Sequence, residues 1–208
     1  MTDTRTASPP RLILGSTSRY RRELLERLRL PFEVAAPQVD ETPLQGESPA
    51  ALAQRLALAK AHAVAAAQTN DAVVIGSDQV ADVDGEAVGK PGTHERAVAQ
   101  LRRMSGRKIV FQTAVAVVRL AGGFAEVQLA PVQVHFRHLD DAEIEHYLRL
   151  EQPYDCAGSA KCETLGIALL AAIHSDDPTA LVGLPLIRTC ELLRKAGLDP
   201  LAVAAPAR

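Results

Sequence analysis

Apolar and polar positions alternate along the chain in blocks that predict a series of helices and strands. Arg11-Leu12-Ile13-Leu14 is short and mostly apolar, as in a strand buried on both faces. Gly15-Ser16-Thr17-Ser18 breaks the run. Leu24, Leu25 and Leu28 then recur at helical spacing and predict a helix reaching about residue 30. A second helix is expected over about 48–67. Residues 72–78 form an apolar run ending in Gly76-Ser77-Asp78, read as a buried strand that stops at Asp78. Asp84-Gly85 is a hairpin signal, and Thr93 can cap a third helix to about Met104.

The middle of the chain changes period. Residues 110–120 and 127–138 read as two long strands joined near Gly122-Gly123. In the second, Val132, Val134 and Phe136 alternate with Gln133, His135 and Arg137, the pattern of a half-exposed strand. A helix opened by Asp140 follows over 140–150, then a loop-rich stretch over 153–166. A last helix over 184–196 is closed by Gly197. Helices alternating with strands, around a central hairpin, predict an α/β or α+β fold built on a mixed sheet.

Composition narrows the class of protein. The 208 residues are 47% hydrophobic and 23% charged, with no Trp, so aliphatic side chains must build the core. The formal net charge of -2 is the wrong balance for general nucleic-acid binding, so any anion site must be a local cluster of Lys and Arg. Cys156, Cys162 and Cys190 lack zinc-ligand spacing and read as reduced thiols. No stretch approaches the ~20 apolar residues of a membrane span. Residues 1–10 are polar, without the apolar core of a secretory signal, and read as a disordered tail. The expectation is a cytoplasmic protein.

Candidate chemistry gathers at element ends. Ser16 to Arg22 leads from a strand through a small polar turn into a helix. The free N–H groups and partial positive charge of that helix N-terminus suit a phosphate. Arg21 lies three and four positions before Leu24 and Leu25, on the inward side, and Arg22 borders that face. Two guanidinium groups there would clamp a triphosphate; an ordinary capped helix with solvated arginines fits the same pattern. Lys60 continues the line of Leu52 and Leu56, so it either snorkels to the surface or points into a cleft. Lys90, in Lys90-Pro91-Gly92, could meet a phosphate or be a surface lysine. No Gly-rich loop of the P-loop kind is present, so a phosphate site must be assembled from scattered positions.

Asp78, at the end of an apolar run, could hold a metal or activate water, or merely tie the following turn. One member of Asp40-Glu41 could join it around Mg²⁺ or Mn²⁺. Phosphoanhydride hydrolysis needs a cation, basic side chains and an activated water in line. Asp78, Glu41, Lys60, Lys90, Arg21 and Arg22 would supply those parts. No sequence pattern links a Cys to a His, so thiol catalysis is not indicated.

As a set, these residues resemble the Maf family. The resemblance is carried by Leu12-Ile13-Leu14-Gly15-Ser16-Thr17-Ser18 with Arg21-Arg22, Asp40-Glu41-Thr42, Lys60-Ala61, Gly76-Ser77-Asp78-Gln79-Val80, Gly89-Lys90-Pro91 and Val182-Gly183-Leu184-Pro185-Leu186. It implies a single domain over 11–208, an elongated mixed α/β structure with flanking helices and two lobes around a central cleft, similar to inosine-triphosphate pyrophosphatases. It implies a metal-dependent pyrophosphatase that cleaves nucleoside triphosphates between the α and β phosphates with Mg²⁺, Mn²⁺ or Co²⁺, and members that form a homodimer. The matching positions are Ser16, Arg21, Arg22, Glu41, Lys60, Asp78 and Lys90, with Asp78 as proton acceptor; Glu41 and Asp78 remain the candidate metal carboxylates.

Gln79, the His135-to-Leu139 run, Cys156-Ala157-Gly158-Ser159 and Glu163 resemble the YceF-type branch of that family, associated with 7-methyl-GTP. The branch's specificity positions fall on Tyr20, Gln79 and Glu163. Methylation makes the guanine ring cationic, and an aromatic face and a carboxylate both favour a cationic base. The branch usually has Pro then Trp where this chain has Arg19 and Tyr20, and Tyr is the weaker cation–π partner. Alternative readings are a broader nucleotide pyrophosphatase and a binding protein that regulates division.

Overall fold

The computed structural model describes residues 10–202. The tail expected over residues 1–10 therefore falls, except for Pro10, outside the described residues. Those residues form β1 (Arg11–Gly15), α1 (Arg19–Glu26), β2 (Glu33–Val34), α2 (Pro49–Ala66), β3 (Ala72–Val83), β4 (Glu86–Val88), α3 (His94–Met104), β5 (Lys108–Arg119), β6 (Phe124–Phe136), α4 (Asp141–Glu151), β7 (Leu170–His174) and α5 (Leu186–Lys195). The mixed α/β expectation holds. One sheet runs in the order β2-β1-β3-β5-β6-β7, with β4 added beside β3. β1 is parallel to β2 and β3, and the other pairings are antiparallel.

The long strands carry two packing regions end to end. In the near half the sheet is covered on both faces. Leu52, Leu56, Ala57 and Val64 of α2 pack on Ile13, Val74, Ala114 and Ala116. Leu24 and Leu25 of α1, with Leu192 and Leu193 of α5, pack on Leu12, Leu14, Val73 and Ile75. In the far half, Leu101 of α3 and Ile144 and Leu148 of α4 pack on Ala81, Ile109, Phe111 and Val132. The alternation in β6 is as expected: Val132, Val134 and Phe136 are buried, and Gln133 is exposed.

Helix boundaries follow their caps. Ser48 accepts from Ala51 N at 3.3 Å and Thr93 accepts from Arg96 N at 3.3 Å. Asp140 and Glu143 form a capping box on α4. α1 is shorter than its apolar period suggests. Leu28 N and Arg29 N turn back to Leu25 O and Glu26 O, and Arg29 sits at φ 56°. Pro31 disfavours a helical Leu30, so the chain leaves the helix early.

Two further differences bear on function. β7 is a short apolar stretch that the sequence pattern did not single out as a strand, and it forms one edge of the sheet. β3 does not stop at Asp78 but continues to Val83, so Asp78 is a mid-strand residue. It stays in the strand because β5 pairs with β3 from Val73 (opposite Arg119) to Asp82 (opposite Val110). On its other side β3 loses β1 after the Gly15–Gly76 pair, and β4 begins only at Ala81 opposite Val88. Residues 77–80 are thus left with one free edge between the two packing regions.

Candidate active site

A cleft of about 460 Å³ opens at that free edge. Its walls come from the β1–α1 turn, the loop carrying Glu41, Lys60 of α2, Gln79 of β3, Lys90, the 155–163 segment and the 181–183 turn.

The anion-holding end begins at the β1–α1 turn. Ser16 is buried and its Oγ accepts from Ser18 N at 3.2 Å. Ser18 caps α1 by accepting from Arg21 N at 3.5 Å. Arg21 turns inward: its Nε donates to Gly183 O at 2.9 Å and its Nη1 to Ser16 Oγ at 3.3 Å. Burial lowers the Arg21 guanidinium below its ordinary value, while the charges of Asp78 and Glu41 pull it back up. Arg22 is a correction to the expected pair. One residue further round the helix, ~100° away, it points to solvent and pairs with Glu26 at 3.1 Å, so it does not line the cleft.

Lys60 resolves in favour of the cleft. Its Nζ lies 2.7 Å from Asp78 Oδ1 and 2.8 Å from Glu41 Oε1. Lys60 and Asp78 are buried, whereas Glu41 is exposed at the cleft mouth. Gly76 makes the approach feasible: a Cβ there would stand 2.2 Å from Ala57 O and 2.6 Å from Ala61 N. Its missing side chain, with Ala57 and Ala61, lets α2 settle on β3 and bring Lys60 onto Asp78. Burial raises the Glu41 carboxyl, but the Lys60 bond and the charges of Lys60, Lys90 and Arg21 outweigh it, and the net direction is down. Of the adjacent acids, Glu41 is the one brought in; Asp40 instead accepts from Thr42 N at 2.9 Å. Lys90 lines the cleft from the far wall.

Two carboxylate oxygens meeting one ammonium converge on a single cationic point. Hard oxygen donors of this kind fit a divalent cation such as Mg²⁺, which commonly takes one or two carboxylates and completes its shell with substrate phosphates and water. Among the described residues no group of three or more His, Cys, Asp or Glu gathers around such a point.

The other end of the cleft is built differently. Tyr20, Asp155, Cys156 and Glu163 line it. The Tyr20 ring carries Arg19 at 4.7 Å and Lys161 Nζ at 6.0 Å from its centroid, and its hydroxyl accepts from Arg19 Nη2 at 3.0 Å. Gln79 has less freedom than expected: its amide nitrogen is surrounded by Thr113 Oγ1, Ala180 O and Leu181 O at 2.9–3.0 Å, which leaves its carbonyl for a ligand. Burial pushes both the Cys156 and Cys162 thiols up to about 12, so they are neutral near pH 7 and poor nucleophiles.

Sequence patterns missed several supports. Ser77 is fully buried, with its Oγ 2.8 Å from Ala114 O and 2.9 Å from Gly183 O. It shares the Gly183 carbonyl with Arg21. Asp177 is also fully buried and accepts from Ile187 N and Arg188 N, which anchors α5 and the 180–185 turn. Lys161 is buried beside Tyr20, with its Nζ donating to Glu151 O at 3.0 Å. A Ser between Gly and Asp was the one local hint.

Cations beside a helix N-terminus at one end, with an aromatic ring and carboxylates at the other, lay out a nucleotide-sized site in an α/β protein. The chain belongs to the Maf family: the description "Maf-like protein" matches residues 11–196. It is 71% identical over 187 residues, 90% of this chain and 85% of the relative, to a "7-methyl-GTP pyrophosphatase" of Polaromonas sp. (strain JS666 / ATCC BAA-500). It is 66% identical over 191 residues, 92% of this chain and 96% of the relative, to a protein of the same description from Albidiferax ferrireducens. A solved nucleoside-triphosphatase / dITP/XTP pyrophosphatase from Mycobacterium abscessus overlaps 61% of this chain and 72% of its own, at 19% identity and a TM-score of 0.37.

Proposed function

We propose that this chain is a metal-dependent nucleoside triphosphate pyrophosphatase that hydrolyses 7-methyl-GTP to 7-methyl-GMP and pyrophosphate. The observation that carries the reading is the Glu41–Lys60–Asp78 cluster at the free edge of β3: Glu41 and Lys60 line a cleft that also holds Arg21 and Lys90, and Asp78 lies directly behind Lys60. The relatives' description supplies the substrate, and the same residues occupy the positions the family resemblance marks.

In this reading Ser16, Arg21 and Lys90 hold the triphosphate. Asp78 takes the proton from a water that attacks the α phosphorus, and the α–β bridging oxygen leaves with pyrophosphate. Lys60 orients Asp78 through its 2.7 Å contact until substrate arrives. A divalent cation held by Glu41 and Asp78 would neutralise the phosphate oxygens as charge moves onto the leaving group. Glu163 and the Gln79 carbonyl accept from the donor edge of guanine, and Tyr20 offers its ring to the cationic base. The Arg19 guanidinium already lies over that ring, so the base must compete with it.

A protein of this kind would work in the cytoplasm, removing modified nucleotides before RNA synthesis uses them. Among the described residues no helix is long and apolar enough to cross a membrane. Pyrophosphate release from GTP, 7-methyl-GTP, dTTP, UTP, CTP and ITP, with Mg²⁺, Mn²⁺ and Co²⁺ in turn, tests the proposal. Preference for 7-methyl-GTP is expected. Turnover spread evenly over the panel would remove the substrate assignment, and silence with every metal would remove the enzyme.

A further inference from the structure

The loop that carries Glu41 has no apolar anchor. Residues 38–48 include no buried residue, and Leu44 is 59% exposed. Yet Glu41 must sit within 2.8 Å of Lys60. Among the described residues, the side-chain hydrogen bonds and ion pairs from residues 38–47 to α2 run through Lys60 itself and through Arg55. Arg55 Nε and Nη2 grip both oxygens of Glu47, at 2.6 and 2.8 Å, and Nη2 also donates to Thr42 O at 3.1 Å. Glu47 Oε2 in turn accepts from Leu44 N at 3.0 Å. The Glu47 side chain is 8% exposed, far less than its neighbours. A two-pronged, charge-assisted grip of this kind fixes orientation as well as distance. Arg55 and Lys60 share one rigid helix, ~7.5 Å apart along its axis.

We propose that the Arg55–Glu47 bridge is the positioning device of the cleft's acidic end: it ties the loop to α2 so that Glu41 is delivered to Lys60 and Asp78. The inference rests on the reading of Glu41 and Asp78 as the working carboxylates. Arg55 does not line the cleft. It acts through Glu41, which separates it from an arginine that merely stabilises the fold.

The test pairs Arg55→Gln and Arg55→Lys with Glu41→Gln, measuring pyrophosphate release from 7-methyl-GTP across a Mn²⁺ series. Amide hydrogen exchange over residues 38–47 gives a readout independent of turnover. Arg55→Gln is expected to lower kcat about 10-fold or more, since small misplacements of a catalytic group cost that much. It should raise the Mn²⁺ concentration needed for half activity and deprotect residues 38–47 while β3 stays protected. Arg55→Lys, able to make one bond but not the fork, recovers part of the loss. On the Glu41→Gln background, Arg55→Gln should cost less than about twofold, because two changes acting through one group do not add. Glu47→Gln breaks the same bridge at similar volume and stands in if the Arg55 variants fail to fold. Equal losses on both backgrounds, unchanged exchange over 38–47, or an undiminished kcat overturns the proposal. A wild-type chain without pyrophosphate release overturns the function itself; a competent wild type with an unaffected Arg55→Gln overturns only the bridge.

Discussion

The two ends of the cleft draw on packed elements to different degrees. Beyond the β1–α1 turn, loops supply only Glu41 and Lys90 at the anion end, whereas of Tyr20, Gln79, Asp155, Cys156 and Glu163 at the base end only Tyr20 and Gln79 come from a helix or strand. Ser16, Arg21, Lys60 and Asp78 sit on, or directly beside, β1, α1, α2 and β3, and every one of these groups has a protein partner within 3.3 Å. Asp155, Cys156 and Glu163 sit on a segment of short turns between α4 and β7, and Asp155 and Glu163 are exposed. Groups on packed elements hold a fixed geometry, which phosphoryl chemistry requires. Groups on loops can change between relatives without disturbing the fold, which suits recognition of a particular base. Chemistry and selectivity should therefore be separable by substitution.

The largest effect is expected from Asp78→Asn. The amide cannot take a proton, so kcat should fall by roughly 10²–10⁴, the range for loss of a general base. The variant should still bind 7-methyl-GMP, measured by equilibrium titration; retained turnover would shift the proton acceptor to another group. Gly76→Ala attacks the same end through packing. Its Cβ would collide with Ala57 O and Ala61 N, which are backbone atoms that can move only with α2. A stability loss of about 1–3 kcal/mol is expected in denaturant unfolding, together with lower kcat as Lys60 withdraws from Asp78. Unaltered stability and turnover would mean that α2 is not held as tightly as the contact distances imply.

Glu163→Ala probes the other end. The preference for 7-methyl-GTP over GTP should fall about 5- to 10-fold, the worth of about 1 to 1.4 kcal/mol at a partly exposed charged contact, with GTP turnover changed little. An unchanged ratio would take Glu163 out of base recognition. The smallest effect is the pH response of the loop tie at the anion end. The Arg55 bond, with help from Leu44 N, holds the Glu47 carboxyl at about 2, below its ordinary 4.5. Because the folded value is the lower one, the bridge contributes fully above pH 4.5 and is lost as pH falls towards 2. Hydrogen exchange over residues 38–47, corrected for intrinsic pH dependence, should loosen in that window in the wild type. Glu47→Gln should start loose and show no such step.

What was legible in the sequence follows the same division. Helix starts were readable because Ser48, Thr93 and Asp140 cap locally, within three residues of the N–H they satisfy. The strands β5 and β6 were readable from alternation. The ends of α1 and β3 were not: Pro31 truncates one, and pairing with a strand some thirty to forty residues away prolongs the other. Within the site, Lys60 left a choice between surface and cleft that only the position of Asp78 settles. Arg22 was expected to border the face that carries Arg21, yet it lies about 100° further round the helix and pairs with Glu26, while Arg21 reaches the Gly183 carbonyl.

Taken alone, the sequence determined the mixed α/β class, most element positions and the family, because periodicity, caps and ordered motifs are local or additive signals. The tertiary structure decided which charged groups meet. Lys60 reaches Glu41 and Asp78, Arg21 reaches Gly183, and Arg55 holds Glu47, across separations of 8 to 162 residues in the chain. Such contacts depend on where β1 stops, where β4 starts and how closely α2 lies on Gly76, and those are consequences of three-dimensional packing that no window of sequence contains.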